Sequence, residues 1–372
     1  MIVVDAESIG FGASGRNGGQ VNPGLKPDPD EVERRFGAER GRAMNDLAGG
    51  APSFVFSLIE RLGIRCEARR NGTLRAAAHA AHLAGVERTA AQWAARGAPV
   101  EFLDRDAVAA ATGCERYRGA MLDRRGGDLN PLSYARGLAR AAIDAGARIH
   151  EGTRIASLAR VAGGWRARAA RGEVVANRVV IATNGYSDGL WPRLRRSVVP
   201  VFSQIAATAP LPDVLAARIL PGRSVLYESG LVTVYYRIDA GGRLLIGGRG
   251  PLREVGAPHE LGHLLAYARR LWPALGETAW THAWGGRIAM TIDHYPHLHE
   301  PAEGVLIALG YNGRGVALAT ALGAEVARRV LDPRAALAFP VSPVRAIPLH
   351  GLWPLAVKAA VLRGRIADRF RR

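Results

Sequence analysis

Two spacings of hydrophobic residues trade places along the chain: period two, which predicts strands, and a period near 3.6, which predicts helices. The chain opens on a β-branched run, Ile2-Val3-Val4, that ends in an acid, Asp5, and passes into a glycine-rich turn from Gly10 to Gly19. Residues 30–62 then carry helical spacing with mixed charge, and Asp30 followed three residues later by Glu33 reads as a helix start. Arg69-Arg70-Asn71-Gly72-Thr73-Leu74 predicts a turn into a strand. Residues 78–96 and 104–112 read as alanine-rich helices, with Glu101-Phe102-Leu103 as a strand feeding the second. Asn130 and Pro131 suit the cap and first turn of a helix running to about Ala145.

Ala147–Arg160, Gly164–Ala169 and Val174–Ala182 predict a three-stranded meander turning at Gly163-Gly164 and Arg171-Gly172. Val199–Thr208, Val225–Tyr227, Leu231–Ile238 and Arg243–Gly247 are further strand patterns, and Asp239-Ala240-Gly241-Gly242 is a hairpin loop. His259–Trp272 has helical spacing. The last block is a buried strand, Gly304–Leu309, a glycine turn, and an apolar helix, Val316–Val330. Prolines 333, 340, 343 and 348 interrupt the chain beyond that helix, and residues 352–372 predict an amphipathic basic helix.

The first strand and its acid set the chemistry. In a dinucleotide-binding βαβ unit the second strand ends in an Asp or Glu that accepts from ribose hydroxyls, about 20 residues after a G-x-G-x-x-G turn. With the acid at position 5 there is no room for that fingerprint, so the chain reads as a nucleotide-binding fold met one strand and one helix late. By itself an Asp after a strand is also an ordinary turn residue. The glycines of 10–19 let backbone N–H groups approach a phosphate, although a plain surface loop has the same composition. Gly310-Tyr311-Asn312-Gly313-Arg314-Gly315 leads a strand into a helix whose N-terminus carries free donors and about half a positive charge. Close packing alone can also require such a turn. Thr183-Asn184-Gly185 marks a further strand end.

Composition narrows the classes. A chain of 372 residues with 48% hydrophobic residues can fold as two domains. The formal charge of +17 is almost entirely arginine, since Lys26 and Lys358 are the only lysines. Such a field can draw nucleic acid, anionic lipid or an acidic substrate. No basic run with interleaved aromatics accompanies it, which argues against nucleic acid. No stretch reaches about 18 apolar residues, and no basic-then-apolar leader is visible. Two cysteines, Cys66 and Cys114, exclude a disulfide framework and fit a cytoplasmic enzyme. His282, His294, His297 and His299 cluster in sequence, but the spacing spans a proline and lacks an acid ligand pattern, so no metal site is predicted.

Six motifs in order along nearly the whole chain resemble the FAD-dependent oxidoreductases of the D-amino-acid-oxidase-like family. They are V-V-D-A-E (3–7), G-F-G-A-S-G-R-N-G-G (10–19), A-T-N-G-Y (182–186), Y-Y-R-I-D-A-G-G-R-L-L-I-G-G-R (235–249), W-G-G-R-I-A-M-T-I-D-H-Y-P (284–296) and G-Y-N-G-R-G-V-A-L-A (310–319). The tail from Phe339, with F-P-V-S-P-V-R-A-I-P, looks most like the γ-glutamylputrescine oxidase branch.

The resemblance implies an α/β fold with a Rossmann-like FAD domain, missing its first βα unit, over 1–60, 126–195 and 284–345. It implies an α+β substrate domain with a mixed sheet over 61–125 and 196–283, and a basic tail over 346–372. It implies FAD held by Asp5, Ala13, Ser14, Arg16, Asn17, Gly18, Gly19, Thr183, Asn184, Gly185 and Gly310 through Val316. Asn17 stands where some relatives carry a flavin-linking histidine, so the attachment is expected to be non-covalent.

Tyr235, Tyr236, Arg237 and Arg287 are the expected substrate contacts, Arg287 as a fork for a carboxylate. The implied reaction oxidises the C–H beside an amine, in an amino acid or a polyamine, with hydride passing to flavin N5. Oxygen, a quinone or another electron carrier accepts the electrons. The alternatives are a truncated or cofactor-free homologue without activity and a flavin dehydrogenase that meets a membrane surface through its basic tail.

Overall fold

The computed structural model describes residues 1–230 and 233–370. The first two residues of the expected strand 231–238 and the last two of the expected tail helix lie outside the described residues.

An eight-stranded mixed sheet dominates. Its order is Trp280–Met290, Val199–Pro210, Arg243–Arg249, Tyr235–Ile238, Val225–Glu228, Thr73–Ala77, Gly119–Asp123 and Val100–Leu103. Neighbours are antiparallel except 225–228 beside 73–77, which run parallel. Alternation assigns the two faces. Leu226, Tyr236, Ile238, Leu244 and Ile246 point into the largest core, against Leu261, Leu264 and Leu271. Fully buried side chains such as Leu226 and Ile246 each contribute roughly 1.5–3 kcal/mol. Tyr235 and Arg237 leave the opposite face and meet the 10–20 segment, where Gly18 and Gly19 make room for them.

The second layer holds two small sheets, one of them with His297–Ala302 as an antiparallel edge strand on Val305–Leu309. Ile2–Val4 pairs with Arg148–His150, and Val179–Ile181 pairs with Val305–Leu309, both in parallel. This corrects the expected meander. The segment 155–161, 164–169 and 172–176 forms it, while 148–150 and 179–181 leave for the parallel strands. The first separation falls at Gly152, whose φ of +58° suits glycine.

The expected helix over 30–62 is two helices, Pro29–Phe36 and Ala38–Arg61, broken at Gly37 with φ +84°. The first begins after Asp28, not at Asp30, because Pro29 takes the first helical position. Asp104 and Asn130 do cap their helices, accepting from the Ala107 and Ser133 amides at 2.9 and 3.1 Å. His259–Trp272 resolves into a 3₁₀ turn, Pro258–Leu261, and a helix, Gly262–Leu271. Helix Gly315–Leu331 packs Leu318, Leu322 and Val326 under strand 305–309. The tail ends in helix Trp353–Phe370. Among the described residues no helix is long and apolar enough to cross a membrane.

Candidate active site

One cavity of about 1000 Å³ runs between the two layers. Asp5, Ile9 and Gly10 line one end, and the turn 311–316 together with strands 227–228, 235 and 248–249 lines the other.

At the first end Asp5 closes strand 2–4. One carboxylate oxygen accepts from the Glu7 amide at 2.9 Å, a local turn bond. The residue also lines the cavity, so it makes the turn and faces a possible ligand. The glycine turn after it is tightly folded: a Cβ at Gly15 would overlap the Gly10 carbonyl oxygen and stand 2.9 Å from Leu132. Short helix Ala13–Arg16 sits inside this turn. Asn17 closes it, donating to the Ala13 and Ser14 carbonyls, both at 2.9 Å, and accepting from the Gly19 amide at 2.8 Å. Arg16 pairs with Glu254 at 3.1 Å.

At the second end the N-terminus of helix 315–331 opens on the cavity through Gly313, Arg314, Gly315 and Val316. Asn312 holds the preceding turn at φ +53°, accepting from the Thr291 amide at 3.0 Å and donating to the Gly310 carbonyl at 2.6 Å. Asn184 ties strand end 179–181 to this turn by accepting from the Gly310 amide at 2.9 Å. Arg314 donates to the Pro23 carbonyl at 2.6 Å and the Tyr227 hydroxyl at 2.9 Å.

Of the expected cofactor residues, Gly19, Gly185 and Gly310 stand behind the wall, Thr183 is exposed away from it, and the rest line it. Gly185 lies against the Arg287 backbone and Gly310 against Thr291, so both serve the packing of the turns.

The expected substrate residues divide by strand face. Tyr235 lines the cavity, its ring lying over Gly247 and its hydroxyl 2.8 Å from Ser203 Oγ. Burial pushes its pKa up to about 12, the Ser203 bond working the other way, so the phenol stays protonated. Tyr236, one residue on, is turned into the core. Its hydroxyl joins those of Tyr117 and Tyr267 on Oε1 of Glu228, and burial followed by the Glu228 charge drives the Tyr236 phenol pKa well above its usual range. Arg237 is committed to Asp128 at 2.8 Å and to the Gly18 carbonyl at 2.6 Å. Gly286 and Ile288 line the cavity, and Arg287 between them faces out, stacked on Tyr186 and Phe202 with 5.5 Å to each ring centroid.

Other residues at this end lacked a local signal in the sequence. Glu228 is 8% exposed and lines the cavity beside its three phenols. Lys26 and Arg249 line it too, Arg249 being the last residue of the 235–249 motif. Burial, then the Arg249 and Arg314 charges, pull the Lys26 pKa down to about 8. Lys26 is solvent-accessible by surface yet crowded by atoms, as expected for a side chain whose free surface faces a cavity. Asp128, fully buried, takes Arg69 as a fork at 3.1 and 2.7 Å in addition to Arg237. Among the histidines, His297 meets Asp293 at 3.1 Å and His299 meets the Ser342 carbonyl at 2.7 Å.

The donor set fits FAD at its two ends. Asp5 offers an acceptor for ribose hydroxyls, and the helix terminus at Gly315 offers N–H donors for the electron-rich pyrimidine edge of the ring. Between them Val180, Ala308, Ala319 and Gly323 give an apolar wall of mostly small residues.

Comparison with known proteins gives the family of the chain. Residues 1–329 match the family model described as "FAD dependent oxidoreductase". The chain is 32% identical over 327 residues to a probable oxidoreductase, OrdL, of Rhizobium meliloti, covering 86% of this chain and 75% of that protein. It is 30% identical over 334 residues to the gamma-glutamylputrescine oxidoreductase of Escherichia coli, covering 88% and 78%. The crystal structure of glycine oxidase from Geobacillus kaustophilus superposes with a TM-score of 0.75 at 23% identity, over 93% of this chain and 91% of that one.

Proposed function

We propose, from the fact that the chain belongs to the FAD dependent oxidoreductase family, that it oxidises the C–H bond beside an amine to an imine. The observation that carries this reading is the single cavity joining Asp5, the N-terminus of helix 315–331 and the aromatic wall of Tyr227, Tyr235 and Tyr311. Bound FAD supplies the acceptor for the hydride equivalent that leaves the carbon.

The chain's own residues bind and orient. Asp5 would hold the ribose hydroxyls of the cofactor, and the N–H groups at Gly315 and Val316 would offer donors to the electron-rich edge of its ring. Tyr235, pinned by Ser203 and by the space at Gly247, presses the amine into the reacting position. The substrate amine reacts neutral: its nitrogen lone pair forms the C=N bond as the C–H bond breaks, the remaining N–H proton passes to water, and water then hydrolyses the imine. Oxygen or a quinone-type carrier would be the final electron acceptor.

The test is turnover of FAD-loaded protein on a panel of primary and secondary amines, with and without carboxylates, reading carbonyl product and hydrogen peroxide. Carbonyl without peroxide identifies the carrier-dependent form. Flavin-loaded protein that oxidises no member of the panel contradicts the proposal.

A further inference from the structure

We propose that the outward face of the C-terminal helix, together with the basic segment beside it, is a docking surface for an anionic lipid bilayer. This surface lies away from the cavity and stands independently of the proposed reaction. The family match ends at residue 329, so the surface is built largely from residues beyond it.

Helix Trp353–Phe370 and the 3₁₀ turn His350–Leu352 ahead of it carry two apolar stripes. Trp353, Val357 and Val361 follow one another every four residues and are half-buried. Leu352, Leu355 and Leu362 fall on the opposite side of the helix. Their exposures are 54%, 62% and 60%, and Leu349 just before them is 78% exposed. A surface helix ordinarily keeps its apolar stripe inward and its polar residues outward. Here a second stripe of large leucines faces out, and contiguous apolar surface of that kind marks a contact site.

The ground on which this tail is anchored is basic. The Ile347 amide donates to the Arg196 carbonyl and His350 Nε2 to the Val198 carbonyl, both at 2.8 Å. Val344 packs against the core cluster that holds Leu194 and Val198. Arg193, Arg195 and Arg196 are exposed on that segment, as are Arg345 and Lys358 on the tail. Among the described residues none of these side chains has a carboxylate partner. Residues 189–212 contain no acid, and residues 333–372 hold eight arginines and lysines against one acid, Asp368.

An apolar stripe set among unpaired cations suits a helix that lies in the plane of a membrane interface. The leucines reach the acyl boundary and the cations meet anionic headgroups. Such a helix rests on the bilayer and does not span it, consistent with the absence of a spanning helix among the described residues. Nucleic acid would satisfy the cations and leave the leucines uncovered. A second copy of the chain would cover the leucines but set the same unpaired cations against each other across a twofold axis. An anionic bilayer answers both features.

The experiment mixes full-length protein with vesicles of phosphatidylcholine alone, or of phosphatidylcholine with about one-third phosphatidylserine, and reads binding by flotation. Attachment to the anionic vesicles is expected at about 0.1 M salt, and about tenfold or more weaker attachment at about 1 M salt, where charges are screened within about 3 Å. Neutral vesicles bind at least about tenfold more weakly than anionic ones. The triple variant Leu352→Gln, Leu355→Gln, Leu362→Gln loses about tenfold or more in attachment. The triple variant Arg193→Gln, Arg195→Gln, Arg196→Gln loses about tenfold to a hundredfold and responds less to salt. Both replace exposed side chains, so the melting temperature stays at the parent's.

No attachment to the anionic vesicles, or equal attachment to the neutral ones, overturns the proposal. Attachment undiminished in the leucine variant overturns it equally, since charge alone would then account for binding. A parent that is dimeric by sedimentation equilibrium, turns monomeric in the leucine variant and floats with neither vesicle shows an interface between copies instead. Should either triple variant melt well below the parent, Leu355→Gln and Arg195→Gln alone carry the same comparison.

Discussion

Replacing Asp128 with asparagine tests how the two layers are joined. Its carboxylate is 1% exposed and receives Arg69 Nε and Nη2 at 3.1 and 2.7 Å, Arg237 Nη1 at 2.8 Å and Asn71 Nδ2 at 3.3 Å. Asparagine keeps the shape, removes the charge, and turns an amide donor toward a guanidinium that is itself only 7% exposed. Breaking a buried pair from one side costs about 3–5 kcal/mol. Arg69, 30% exposed, recovers part of its hydration, so we take the lower end, about 3 kcal/mol. That is a large share of a typical net stability of about 5–15 kcal/mol.

The same change frees Arg237 from one of its two anchors and loosens its grip on the Gly18 carbonyl, so FAD affinity falls together with stability. Urea unfolding of the cofactor-free protein reads the first effect, and FAD titration of the folded variant reads the second. Asp128→Leu combined with Arg237→Met recovers part of the lost stability, because the fully buried charge of Arg237 leaves with its partner and only the partly exposed Arg69 stays unpaired. An Asp128→Asn variant within about 1 kcal/mol of the parent, a surface-pair value, refutes the reasoning.

Three further outcomes are expected of the site. Asp5→Ala weakens FAD binding roughly tenfold to a hundredfold, measured by flavin fluorescence; unchanged affinity leaves Asp5 with its Glu7 turn bond alone. Acid precipitation of the loaded protein leaves the flavin in the supernatant, since Asn17 offers no nucleophile and both cysteines are buried; flavin in the pellet contradicts this. The affinity for a carboxylate ligand falls as pH rises through about 8. Lys26 is charged below that value and neutral above it, while burial and then the Lys26 charge hold the nearby His294 below its usual range. An affinity flat from pH 7 to 9, about one unit to either side, shows that Lys26 does not meet the ligand's charge.

Much of this architecture is legible in the sequence because it rests on local signals. The caps at Asp104 and Asn130, the hairpin at Asp239–Gly242 and the strand–turn–helix at 305–331 all arise from residues within a few positions of one another. The features that were not legible depend on which way a strand faces and on distant partners. Tyr235 and Tyr236 are indistinguishable in a motif, yet one residue of register sends one to the cavity and the other to Glu228. The same rule turns Arg287 outward between Gly286 and Ile288. Asp128 finds Arg69 and Arg237 across 59 and 109 residues, and no periodicity reports a pairing of that kind. The runs 147–160 and 174–182 each hold parts of two strands, because a turn inside a β-rich run leaves composition unchanged.

The most direct measurement is anaerobic mixing of the FAD-loaded protein with N-alkyl amino acids while the flavin's visible absorbance is monitored. Bleaching is expected, with one carbonyl product formed per flavin. Bound flavin that keeps its colour with every amine offered contradicts it.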